Sequence, residues 1–101
     1  MQKGANAKKE AKSLSIDIMP FAYVLLKCEP GYENIIVDEL KSLPEVVSTD
    51  KILGSPFDII VKVEAISESS VRKTINQRIR SIEKIKATNT MMIVTSLRGN
   101  S

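Results

Sequence analysis

Histidine and tryptophan are absent from this chain, and cysteine occurs once in 101 residues. Without histidine the commonest neutral-pH general base and zinc ligand are missing. The lone Cys28 cannot close an intramolecular disulfide. It falls inside an apolar run with no base nearby in sequence, so it reads as a packed strand residue rather than a nucleophile. No Cys, Asp or Glu group has metal-ligand spacing, and the chain is expected to be non-catalytic and to need no cofactor. No apolar run approaches the roughly 20 residues that cross a bilayer, and no signal peptide is visible. A cytoplasmic, non-membrane protein is the expectation. Aromatics are scarce too, with two Phe and two Tyr. That excludes the paired aromatic platform on a basic sheet on which RNA-recognition domains stack bases.

Positive charge is also thin where it would matter. Of the formal +3, residues 1–20 carry +2, from Lys3, Lys8, Lys9 and Lys12 against Glu10 and Asp17. The other 81 residues hold 11 basic and 10 acidic groups, a net +1. A phosphate-binding surface needs clustered positive charge, so direct DNA binding by the folded part is not expected. Three segments follow: a disordered basic tail over 1–20, one folded domain over 21–96, and a short tail over 97–101. A single domain of this size leaves much of its surface exposed, which favours self-association.

The folded segment alternates strand and helix patterns. Phe21–Cys28 is an apolar run of strand length, ended by Glu29-Pro30-Gly31. Tyr32–Leu43 sets Ile36, Leu40 and Leu43 at helical spacing, and Pro44 stops it. Val46–Leu53 is a more polar strand suited to an edge. Gly54-Ser55-Pro56 then turns the chain into a strongly apolar third strand. Ser67 reads as an N-cap for a helix whose stripe is Val71, Ile75, Ile79 and Ile82. A last strand runs from Ile85 or Lys86 to Thr95. The order is strand, helix, strand, strand, helix, strand, an α+β ferredoxin-like βαββαβ sandwich with four antiparallel strands and both helices on one face.

The third strand is the most informative element. Phe57, Ile59, Val61 and Val63 point one way, while Asp58, Ile60, Lys62 and Glu64 point the other. Helices can cover only one of these faces, so Ile60 is left on an open one. Together with Tyr23, Leu25 and Met92, Ile60 is expected to form the contact of a homodimer packed sheet to sheet.

Several pieces, in order and spacing, resemble the effector-binding (RAM) domain of the Lrp/AsnC, or leucine-responsive regulator, family. They are Ala22-Tyr23-Val24-Leu25-Leu26-Lys27, Glu29-Pro30-Gly31, Leu43-Pro44-Glu45-Val46, Gly54-Ser55-Pro56-Phe57-Asp58-Ile59-Ile60-Val61-Lys62-Val63 and Thr88-Asn89-Thr90. The resemblance covers about residues 21 to 95. It implies a dimer that assembles into higher oligomers and binds an amino acid effector between dimers. The implied ligand-binding residues are Gly54, Phe57, Asp58, Thr88, Asn89 and Thr90. Family members usually add a DNA-binding helix-turn-helix, and residues 1–20 are too short and polar to form one. The resemblance therefore implies a stand-alone effector module linked to transcription regulation of amino-acid metabolism, with full-length family regulators as possible further partners.

Chemistry is compatible with that site. An amino acid presents an ammonium, which Asp58 would accept, and a carboxylate, to which backbone N–H groups near Gly54 and the hydroxyls of Thr88 and Thr90 would donate. Gly and Asp are equally ordinary hairpin residues, and an ordinary turn Asp is replaceable at little cost. The alternative function is a purely structural oligomerisation module that partners full-length regulators or an enzyme.

Overall fold

The computed structural model describes residues 19–94. Nearly all of the expected N-terminal tail, together with residues 95–101, lies outside the described residues. Four strands, β1 (Phe21–Cys28), β2 (Val46–Lys51), β3 (Ile59–Glu64) and β4 (Ile85–Ile93), form one antiparallel sheet in the order β2-β3-β1-β4. Helix α1 (Glu33–Lys41) joins β1 to β2, and α2 (Glu68–Lys73) continues through a wider turn, Thr74–Ile79, towards β4. This is the βαββαβ order expected from the pattern. Register shifts interrupt the ladders at Lys27/Cys28 and at Val46/Ser48.

Strict alternation sorts the two faces. Ala22, Val24, Leu26 and Cys28 of β1 and Ile59, Val61 and Val63 of β3 are buried, joined in one core by Ile36 and Leu40 of α1 and by Val71, Ile75 and Ile79 of the second helix. Both helices thus cover the same face. Among the described residues nothing covers the other face. Register places Phe21, Tyr23 and Leu25 beside Ile93, Met91 and Asn89 on one side and beside Glu64, Lys62 and Ile60 on the other. Phe21 and Tyr23 meet edge to face at 5.7 Å, and the Lys62 ammonium lies 4.3 Å from the Phe21 ring centre.

Tyr23, Leu25 and Ile60 therefore share the bare face, as expected. Met92 does not. It pairs with Ala22 and packs against the helix-covered core, so its placement with the other three is corrected. A one-residue step in strand parity exchanges the faces, and the bare-face residues of β4 are Met91 and Ile93.

Ser67 caps the second helix as its type predicts, its hydroxyl oxygen accepting the Ser70 N–H at 3.1 Å. The wide turn after it has a geometric cause. An α-helix has about 3.6 residues per turn, so residues four apart drift around it by about 40° per step. Val71, Ile75 and Ile79 are spaced four and four, and all three are buried. The i→i+5 bond from the Arg80 N–H to the Ile75 carbonyl, 3.0 Å, widens the turn and keeps that stripe in line.

A candidate ligand cleft at the Gly54–Asp58 turn

β2 ends two residues earlier than expected, at Lys51, and β3 begins at Ile59. The intervening turn rests on chemistry the residues supply. Gly54 adopts φ +82, a left-handed conformation that side-chain-bearing residues rarely take. The Ser55 hydroxyl oxygen accepts the Phe57 N–H at 3.0 Å, and the Ile52 N–H donates to the Asp58 carbonyl at 2.9 Å. Leu53 is left 99% exposed at the tip.

Asp58 does more than end the turn. Its N–H donates to the Leu26 carbonyl at 2.8 Å, and its Oδ2 accepts the Cys28 N–H at 2.8 Å. The carboxylate thus satisfies a β1 backbone donor at the site of the Lys27/Cys28 register shift, and among the described residues Oδ1 has no hydrogen-bond donor. The expectation of an easily replaced turn Asp is corrected. Asp58→Ala removes a hydrogen bond to a charged acceptor and is expected to cost roughly 1–3 kcal/mol. Asp58→Asn keeps an acceptor oxygen and is expected to cost less, a difference that urea melts of the two variants would measure.

Cys28 feels the same carboxylate. Its thiol is pushed up to about 11, first by burial, then by the negative charges of Asp58 and Glu33. A raised thiol pKa means that the folded state keeps its proton while the unfolded state, with a thiol near 9.0, begins to lose it. This contribution to stability is complete below pH 9 and is lost as pH rises through 11. At pH 8 the folded protein should resist iodoacetamide, while the urea-unfolded chain reacts. Equal alkylation of both forms, followed by mass spectrometry, would contradict this.

Beside Asp58 opens a cleft of about 430 Å³ lined by Glu33, Lys51, Ile52, Leu53 and Asp58. Of the six residues expected at the site, Asp58 lines it, and Gly54 and Phe57 belong to the adjoining turn. Thr88 pairs with Leu26, the residue whose carbonyl takes the Asp58 N–H, so it occupies the same end of the sheet two strands away, at about 10 Å. Thr90 pairs with Val24 further along, and Asn89 pairs with Leu25 on the bare face. One chain therefore does not bring the three β4 residues into the cleft. Glu33 and Lys51 were missed. Each carries only a weak signal in sequence, Glu33 as an ordinary first-turn acid and Lys51 as a polar edge-strand residue.

Among the described residues no group of three or more His, Cys, Asp or Glu could hold a metal, and no helix is long and apolar enough to cross a membrane.

The family model of the Lrp/AsnC ligand binding domain matches residues 21–100. The crystal structure of FFRP-DM1 is similar at 30% identity and a TM-score of 0.70, over 75% of this chain and 100% of that one. Lower identities still carry the fold. E. coli AsnC aligns at 21% identity and a TM-score of 0.70, over 94% of this chain and 62% of that one. A transcriptional regulator from Neisseria meningitidis, NMB0573, in complex with L-Met aligns at 11% and 0.71, over 96% and 61%. Among curated proteins none matches.

Proposed function

Because the chain belongs to the Lrp/AsnC ligand binding domain family, we propose that it binds an amino acid effector at the Gly54–Asp58 turn and couples that binding to its own assembly in transcription regulation. The observation that carries this reading is the cleft at Asp58, a half-open cavity with carboxylates, a lysine and apolar walls at one end of a sheet whose other face is bare. It supplies an acceptor for an ammonium and a donor for a carboxylate within one volume of small-molecule size. A protein of the same fold is crystallised with L-Met, which supports an amino acid as the ligand class.

Residues of β4 enter as a contribution from assembly. Thr88, Asn89 and Thr90 lie off the cleft within one chain, and a neighbouring copy bringing its β4 end, or closing over Leu53, would complete the site. Ligand occupancy would then shift the equilibrium between assembly states, which is how a module without catalytic groups transmits a signal.

Calorimetric titration with a panel of amino acids, alongside thermal melts, tests the proposal. Binding by at least one is expected. Asp58→Asn should weaken it by about ten- to a hundredfold while retaining the Cys28 hydrogen bond, the range for losing one charge-assisted contact. No heat and no stabilisation from any amino acid would sink the effector reading and leave a structural oligomerisation module, for which the bare apolar face is sufficient.

A further inference from the structure

Charge and shape in the cleft go beyond the amino acid class and, resting on the effector reading, narrow it. Glu33, at the start of α1, and Asp58 both line the cavity, with Lys51 as the one cation on its wall. Both carboxylates also push the Cys28 thiol up, as their common place beside it requires. Among the described residues the single ion pair is Arg72–Glu68, so none of Glu33, Asp58 and Lys51 pairs with a charged group of those residues. Ile52 and Leu53 form an apolar wall beside them.

A neutral amino acid does not balance this set. Its carboxylate matches Lys51 and its ammonium matches Asp58, whose Oδ1 accepts no hydrogen bond from the described residues. Glu33 would then be covered by ligand without a cation, and desolvating an unpaired carboxylate is unfavourable. A second positive charge on the ligand removes that penalty. The methylene stem that separates the two cations in such a ligand fits the Ile52 and Leu53 wall, as long basic side chains lie along apolar surface with the charged end in a polar setting.

We infer that the cleft selects a basic amino acid, a zwitterion carrying a second cation on a flexible methylene stem, and that Glu33 is the specificity-determining residue that takes the second cation. Lysine and norleucine provide the test, since norleucine keeps lysine's straight chain but replaces the terminal ammonium-bearing group with a methyl. Titrations of the full chain with lysine, norleucine and the diamine cadaverine are compared between wild type and Glu33→Gln, with thermal melts to confirm folding. Wild type should prefer lysine over norleucine by about tenfold or more, and Glu33→Gln should abolish most of that preference, weakening lysine and tightening norleucine as the unpaired carboxylate is removed. Cadaverine should bind more weakly than lysine, since it leaves Lys51 unmatched. Equal wild-type affinity for lysine and norleucine overturns the inference and leaves the effector reading intact. A lysine preference that survives Glu33→Gln overturns the role of Glu33. Binding of no amino acid at all overturns the effector reading itself.

Discussion

Wild type is expected to dimerise through the bare face, and Ile60→Lys to be monomeric without unfolding. Ile60 is half-buried in the middle of the bare face, between Leu25 on β1 and Asp50 on β2. It takes no part in the helix-covered core, whose β3 members are Ile59, Val61 and Val63. The single-chain fold should therefore tolerate the change. A sheet-to-sheet dimer would not. Two-fold symmetry places the substitution on both copies, and burying two ammonium groups in an apolar contact is penalised by several kcal/mol, which Asp50 opposite each only partly offsets. Dissociation should strengthen by more than about a hundredfold, at 1.4 kcal/mol per tenfold.

Register sharpens the test. Met91→Lys, on the bare face, should also dissociate the dimer, whereas Met92→Lys, packed on the core side, should lower thermal stability instead. Sedimentation velocity at micromolar concentration, with circular dichroism melts, measures both. A wild-type protein that is monomeric throughout, or an Ile60→Lys protein that remains dimeric, would rule out the bare face as the interface.

The second large effect is expected inside the core. Ile79→Ala should lower stability by about 2–5 kcal/mol, the range for truncating a fully buried aliphatic side chain and leaving a cavity. Ile79 has no exposed surface and belongs to the wide turn that follows α2. Total stability for a domain of this kind is about 5–15 kcal/mol, so a loss at the upper end would leave it partly unfolded. Ile82, which packs against the core from its margin, provides the comparison. Ile82→Ala should cost clearly less. Urea unfolding of the two variants measures the difference, and equal midpoints would show that the wide turn does not seat Ile79 more deeply than Ile82.

That turn marks one boundary of what could be read from residues. The stripe Val71, Ile75, Ile79 and Ile82 announces a helix with a buried face, and the first three are buried. The i→i+5 bond at Arg80 is not announced, because spacings of four suit a slightly drifting α-helix as well as a widened one. The strands behave similarly. β1 occupies Phe21–Cys28 as its apolar run predicts, but β2 stops two residues short, at Lys51. Its last two positions are drawn into the turn that Asp58 and Gly54 build.

Element order, the alternation that leaves Ile60 on an open face, and the Gly54–Asp58 turn were properties of the sequence alone. Each depends on contacts between residues close along the chain, where periodicity and turn chemistry act directly. Three other properties were decided only in the folded structure: the parity that turns Met92 inward and Met91 outward, the bond from the Cys28 N–H to the Asp58 carboxylate, and the presence of Glu33 and Lys51 on one cleft wall. Cys28 and Asp58 are 30 residues apart in the chain, as the bond between them records. Such pairings arise from strand register and helix placement, which depend on packing across the whole sheet, and no local pattern carries them.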